Sequence, residues 1–194
     1  MRIPHPIPYQ GSKRNLATEI LRYFPERATT RIEPFAGSAV ITLAAAARGL
    51  AAHDVINDLN KPLVDLWRAI VESPEKLTRQ DESLWRAQQE NRREYYDKVR
   101  DAFNRTGRPD YLLYLPARCV KASVRYNADG KFNQSPGNRR LGALPATLRE
   151  HILGASHLLH RKTEFSSLDY REVVAQATPN DLIYMAPPYQ GVCG

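Results

Sequence analysis

Arg31-Ile-Glu-Pro34-Phe-Ala-Gly37-Ser38 runs into Ala39-Val-Ile-Thr-Leu-Ala-Ala-Ala-Ala-Arg48-Gly49, and then into Ala52-His-Asp-Val-Ile56-Asn-Asp58. The order of residue types dictates the order of elements. Arg31–Pro34 predicts a short strand, Phe35–Ser38 a tight turn, and the Ala/Leu-rich run Ala39–Arg48 a helix that Gly49 ends. A second strand spans about 52–56 and stops at an acid, Asp58. Strand, glycine turn, helix, strand, acidic end is the first half of a nucleotide-binding α/β unit. The single glycine falls short of G-x-G-x-x-G, and Ala39 stands where a second glycine is expected, so a plain tight turn is also compatible with it. Asp58 fits either a helix-start residue or an acceptor for the two hydroxyls of a ribose.

Outward from this core, Asn60 and Pro62 form a cap and first-turn pair for a helix over Pro62–Val71. Upstream, Asn15–Phe24 places Leu16, Ile20, Leu21 and Phe24 on one helical face, after the loop Tyr9-Gln-Gly-Ser-Lys-Arg14. Downstream, Ser73–Arg105 is charged and helical, and Pro109–Val120 is apolar enough to pack on the core. Ser123–Tyr126, the turn Asn127-Ala-Asp-Gly130 and Lys131–Asn133 spell a hairpin. A Pro/Gly/Arg loop, Ser135–Gly142, precedes a helix over Pro145–Leu159. The α/β pattern resumes with a strand at Thr163–Ser166, Asp169-Tyr170, a helix to Ala177 and a strand at Asp181–Met185. The chain therefore divides into 1–71 and 151–194, two halves of one sheet, and an insertion at 72–150.

The 194 residues, 42% hydrophobic, suffice for one core. No run approaches the roughly 18 apolar residues of a membrane span, and Met1-Arg-Ile-Pro-His-Pro6 lacks the apolar core of a signal peptide, which predicts a cytoplasmic protein. Cys119 and Cys193 are far apart and without metal-ligand spacing, and His151, His157 and His160 lie along a helical stretch where surface or capping roles suit them, so no metal site is expected. The net charge is +7, and its placement is informative. Arg118, Lys121, Arg125, Lys131, Arg139, Arg140 and Arg149 face a single acid, Asp129, within 118–149, whereas residues 61–110 carry eleven bases and ten acids. A local basic block favours a polyanion, most simply nucleic acid.

The tail, Asp181-Leu-Ile-Tyr-Met-Ala186-Pro-Pro-Tyr189, is an apolar strand entering a Pro-Pro-aromatic turn. Two prolines fix φ and donate no N–H, so the turn is rigid, its carbonyls are acceptors and Tyr189 offers a flat ring. On its own such a turn is also ordinary punctuation after a buried strand. Five motifs, however, occur in one order: Tyr9-Gln-Gly-Ser-Lys-Arg14, Glu33-Pro-Phe-Ala-Gly-Ser38, Ile56-Asn-Asp-Leu-Asn60 through Leu66-Trp67, Arg125-Tyr-Asn to Gly130-Lys-Phe-Asn133, and Ala186-Pro-Pro-Tyr189. Together, over practically the whole chain, they resemble the Dam-like (D12 class) N6-adenine DNA methyltransferases.

The resemblance implies an α/β fold: a Rossmann-like methyltransferase sheet with an inserted helical and β-hairpin DNA-recognition region, in a bacterial or phage-encoded protein. It implies S-adenosylmethionine as methyl donor. Tyr9, Gly11 and Lys13 match the N-terminal donor motif, Phe35, Gly37 and Ser38 the loop beside the methionine moiety, Asp58 the ribose contact and Asp169 the partner of the donor's adenine amine. For double-stranded DNA it places Arg125 as a reader of guanine and Asn127 and Asn133 in the recognition hairpin. Lys121 stands where some relatives insert an Asn into the duplex, so that wedge role does not transfer. Lys131, Arg139 and Arg140 suit phosphates. The catalytic loop corresponds to Ala186, Pro187, Pro188 and Tyr189, with Ala186 in the place of an Asp that accepts from adenine N6.

Two departures shape the expectation. Loss of the acid predicts weak or absent catalysis by this chain, and the family's sheet continues past this loop, leaving the sheet incomplete and the Asp181–Met185 strand at an open edge. A longer protein, a second chain adding strands, or a homo-oligomer would cover it. A non-catalytic DNA-binding or regulatory relative, one subunit of a split enzyme, and an RNA or protein methyltransferase with the same loop type remain as other readings.

Overall fold

The computed structural model describes residues 3–187; Pro188, Tyr189 and Cys193 lie outside the described residues. Four parallel strands, β1 (Ala28–Glu33), β2 (Ala51–Asn57), β3 (Thr163–Ser166) and β4 (Leu182–Ile183), form a sheet in the order β3-β2-β1-β4. The helices in chain order are α1 (Ala17–Ile20), α2 (Val40–Ala46), α3 (Lys61–Glu72), α4 (Pro74–Ala87), α5 (Arg92–Thr106), α6 (Pro109–Arg118), α7 (Pro145–Leu159) and α8 (Tyr170–Val174). One apolar cluster runs from the sheet through α3 and α7 into the helices of 72–150, gathering Ile56, Trp67, Leu77, Tyr96, Phe103, Leu115 and Ile152. The helices of residues 72–150 thus share the core of the sheet layer. A smaller cluster, Ala17, Leu21, Val40, Ile41, Ala44 and Ala45, packs α1 on α2.

Several local expectations are corrected. The Asn15–Phe24 helix is broken into a four-residue α-helix flanked by 3₁₀ turns; Ala17 and Leu21, with the partly buried Ile20 and Phe24, pack on the α2 cluster, while Leu16 is exposed. The helix expected to start at Ala39 starts at Val40. Ala39 is left-handed, with φ 43°, and is fully buried, so the glycine-like conformation is adopted by an alanine with no room for a larger side chain. The last strand is Leu182–Ile183 rather than Asp181–Met185, because the Asp181 carboxylate leaves the strand to accept from the backbone N–H groups of Thr30 and Thr178 and the Thr178 hydroxyl. The hairpin is reduced to one antiparallel bridge, Tyr126 to Phe132, closed by Asn127 N–H to Lys131 O at 2.9 Å.

β1 and β2 are cross-braced by charge. Arg31 and Asp54, direct partners in the strand register, form an ion pair with both side chains buried, and Arg31 Nη2 also donates to Thr42 O at 2.9 Å. Glu33, one step along the same face, accepts from the Thr42 N–H at 3.2 Å and from the Thr42 hydroxyl. Thr42 is the third residue of α2, so a strand carboxyl supplies the acceptor that Ala39 cannot offer to the first turn of the helix.

Burial pushes the Glu33 carboxyl up to about 7, against the opposing pull of its hydrogen bonds from Thr42 and of the Arg31 charge, and pushes Asp54 up to about 6. An acid whose folded-state value lies above its unfolded one favours folding most when protonated. Stability is therefore expected to decline as pH rises from about 4.5 through about 7, and Glu33→Gln should flatten that decline in thermal melts; an unaltered profile would assign the slope to other groups.

Candidate functional site at the carboxyl edge of the sheet

Parallel strands deliver their carboxyl ends, and the loops that follow, to one edge. At that edge the buried Asn57 side chain uses its full hydrogen-bonding capacity on its neighbours. Nδ2 donates to Pro34 O (3.0 Å) and Leu168 O (3.1 Å), while Oδ1 accepts from Ser166 Oγ (2.7 Å) and Leu168 N (3.0 Å). The loops after β1 and β3 are thereby fixed on the end of β2. The next residue, Asp58, accepts from Gly37 N at Oδ2 and from Asn60 N at Oδ1, both at 2.9 Å. Burial pushes the Asp58 carboxyl above its usual range while these two N–H groups oppose the shift. Two of a carboxylate's roughly four lone-pair sites are used, leaving capacity for two further donors.

Gly37 is the closest approach in the turn. It holds φ 51°, and a Cβ there would lie 3.2 Å from Tyr9 Cε1, so the tyrosine ring lies against the backbone where only glycine leaves space. Trp67 Nε1 donates to Gly37 O at 2.9 Å, and the Ser38 hydroxyl donates to Ser12 Oγ at 3.2 Å. The N-terminal segment Tyr9–Lys13 is thus packed beside the β1–α2 turn, and Gln10 N–H donates to Ala122 O at 3.0 Å, joining it to the loop that carries Lys121. Gly11 is exposed with φ 81°. On the β3 side, Phe35 pairs with Tyr170, ring centroids 5.3 Å apart, and Asp169 caps α8 by accepting from Arg171 N. The β1–β4 register pairs Arg31 with Leu182 and Ile32 with Ile183, and Tyr184 N–H donates to Ile32 O at 2.9 Å, so the chain leading to Ala186 leaves the sheet beside β1.

The hairpin is tied to this edge. Tyr126 donates its hydroxyl to Asn60 Oδ1 at 3.1 Å, so Asn60 does not cap α3 with its side chain as its sequence position suggests; no side-chain cap bond forms there. The turn is held by Asn127, whose Oδ1 accepts from Asp129 N and Lys131 N. Arg125, Lys131, Asn133, Arg139 and Arg140 are exposed. Lys121 is exposed and left-handed, with φ 63°. Two members of the basic block turn away from solvent ligands: Arg118 is buried, and Arg149 pairs with Glu75 through both Nη atoms at 2.7 and 3.0 Å. Cavities of about 580 and 150 Å³ lie among the helices, and neither is lined by Tyr9, Gly37, Asp58 or Asp169.

Motif order in the sequence brings Tyr9, Phe35, Gly37, Ser38, Asp58 and Asp169 to one edge, and the fold places them there. The roles of Asn57, Asn60, Trp67 and Tyr126 are not legible in that order. All four lie within or beside the motifs, but partners as distant as 111 residues along the chain cannot be read from spacing.

Fold and site define a Rossmann-like α/β protein whose loops and polar side chains are gathered at the carboxyl edge of its sheet. The D12 class N6 adenine-specific DNA methyltransferase model matches residues 9–192, and the chain belongs to that family. It is 28% identical over 187 residues to the DNA N-6-adenine-methyltransferase of Escherichia phage P1, covering 94% of this chain and 23% of that protein. It is 28% identical over 191 residues to the type II methyltransferase M1.LlaDCHI of Lactococcus lactis subsp. cremoris, covering 93% and 64%, and 26% identical over 185 residues to the DNA adenine methylase of Serratia marcescens, covering 93% and 65%. The chain spans less than two thirds of the length of these relatives.

Replacing Asn57 by Ala should orphan buried groups on both flanking loops and lower stability by about 1–3 kcal/mol for each group left without a partner, read from the urea midpoint. A shift under about 0.5 kcal/mol, the range of ordinary surface substitutions, would show that the loops hold without it.

Proposed function

We propose that this chain carries the donor site and DNA-recognition region of an N6-adenine DNA methyltransferase, with a weakened catalytic loop. The carrying observation is the Asp58 carboxylate, fixed by Gly37 and Asn60 N–H groups with acceptor capacity to spare, at an edge to which the recognition hairpin is also bonded. S-adenosylmethionine, when bound, supplies an electrophilic methyl on a sulfonium sulfur. Asp58 would accept from the ribose hydroxyls; Phe35, expected beside the methionine moiety, pairs instead with Tyr170 and with it would wall the adenine, and Asp169 would accept from the adenine amine. Tyr9, Gly11, Lys13, Gly37 and Ser38 would border the methionine end.

On duplex DNA, Arg125 reads a base edge from the hairpin, with Asn127 and Asn133 shaping the turn, and Lys121, Lys131, Arg139 and Arg140 serve the backbone. A target adenine must leave the stack for its N6 to be reached. Tyr189 would stack on it and the Pro187 carbonyl would accept from N6, orienting the nitrogen lone pair for the methyl that the donor would supply, with the N6 proton leaving to solvent. No covalent intermediate with the protein is needed. Ala186 provides no acceptor, and loss of one positioned polar group in a comparable site costs about 10²–10³ in rate. The alanine favours a second reading, a DNA-binding relative that has lost the chemistry. Such a protein has no need of the Asp58 acceptor.

Isothermal calorimetry separates the two. Binding of S-adenosylmethionine to the wild-type chain and its loss in Asp58→Ala support the first reading, and absence of donor binding by the wild type supports the second. Ala186→Asp should raise transfer of labelled methyl groups to duplex DNA by about 10²–10³; equal rates for the two chains would remove the acid from the account.

A further inference from the structure

Arg118 is the most deeply placed basic side chain in the inserted helices, 4% exposed. Its Nε donates to Gln88 Oε1 at 2.6 Å and its Nη1 to Tyr114 O at 3.0 Å, with the guanidinium stacked 3.7 Å from the Tyr114 ring centroid. Nη2 has no hydrogen-bond partner among the described residues. The same residue pins both ends of a basic loop. Its carbonyl accepts from Gly137 N at 2.8 Å, and its guanidinium fills the space beside Gly142, where a Cβ would lie 2.8 Å from Nη1. Gln88 Nε2 adds a bond to Leu141 O at 3.1 Å. The loop between those glycines carries Arg139 and Arg140, and the Arg140 stem lies 3.5 Å from the Cβ position of Gly137.

The resulting cavity, about 150 Å³, is lined by Arg92, Arg93, Arg118 and Arg140 together with Gln88, Asn138 and others, and by no acid. Arg92, Arg93 and Arg140 are exposed and have no carboxylate within ion-pair distance among the described residues. Other helix cations pair with acids (Lys98 with Glu94, Arg86 with Glu82, Arg100 with Asp97), and the buried Arg118 feels the charge of Asp81; Arg92, Arg93 and Arg140, which have no such partner among the described residues, line one cavity with it and concentrate positive charge at its mouth. Guanidinium forks match tetrahedral oxyanions in geometry, and a preorganised loop loses little freedom on binding.

We propose that Arg92, Arg93, Arg118 and Arg140 form a binding site for a phosphate group of the DNA backbone, outside the recognition hairpin. The site rests on the proposed DNA substrate and extends the footprint from the hairpin onto the start of α5. Contacts of this kind add affinity and register without sequence information.

Fluorescence anisotropy of a labelled random-sequence duplex, titrated across potassium chloride concentrations, tests it. The double variant Arg92→Ala/Arg93→Ala should reduce the magnitude of the slope of log Kobs against log [salt] by about 0.9 for each phosphate no longer neutralised. Arg105→Ala, an exposed arginine in the last turn of the same helix, should keep the wild-type slope, and equal melting temperatures show that the fold is kept. A double variant with the wild-type slope, or an Arg105→Ala slope that falls as far, overturns the site while leaving DNA binding intact. A wild-type chain that binds no duplex at any salt overturns the DNA reading and the site together.

Discussion

The carboxyl edge of this sheet is organised by one buried amide. Asn57 cannot be replaced by an apolar residue of its size without stranding Pro34 O, Leu168 and the Ser166 hydroxyl, all of which meet at its side chain. Everything that follows in the fold depends on this constraint. The Phe35–Ser38 turn is set by the position of Pro34, the Asp169–Tyr170 corner by the position of Leu168, and Asp58 emerges between them because it is the next residue of the same strand. A parallel sheet brings loops to one edge in any protein of this class. Here the side chain of a strand-final Asn converts proximity into fixed geometry.

Much of this is legible in the sequence, for a physical reason that also explains the gaps. β3 and α7 coincide with their expected bounds, Thr163–Ser166 and Pro145–Leu159, because each is flanked by strong turn chemistry and has clear periodicity. α1 is shorter than its pattern implies, because Leu16 has helical spacing to Ile20 but no surface to pack against; periodicity reports a face, not whether anything meets it. The Gly37 turn can be recognised from residue type. Its occupant, the Tyr9 ring, cannot, because two residues so far apart along the chain leave no local mark of their meeting. Asn60 shows the same limit in sharper form. Its position before Lys61-Pro62 is that of a cap, and only the fold reveals that Tyr126 claims its side chain.

The placement of charge follows a similar division. Sequence locates the basic block at 118–149, and the fold sorts it. Arg118 serves internally as a strut for the Gly137–Gly142 loop and Arg149 as a brace to Glu75, while Lys121, Arg125, Lys131, Arg139 and Arg140 remain at the surface. Arg92 and Arg93 sit in a stretch whose bases and acids nearly balance, and composition alone gives no reason to separate them from their neighbours. The fold does, because it brings these two to one cavity with Arg118 and Arg140.

The Tyr126–Asn60–Asp58 chain of hydrogen bonds has a thermodynamic consequence. The backbone N–H of Asn60 holds one oxygen of Asp58 while its side chain holds the hairpin, so a single residue is anchored at both ends. A molecule that draws the Asp58 carboxylate toward itself must work against, or be assisted by, whatever fixes the hairpin. Coupling of that kind is reciprocal: if an occupied edge makes the hairpin bind its partner more tightly by some factor, the partner tightens the edge by the same factor. Two ends of one bonded chain, 66 residues apart in the sequence, would then share one free-energy term carried by a single asparagine.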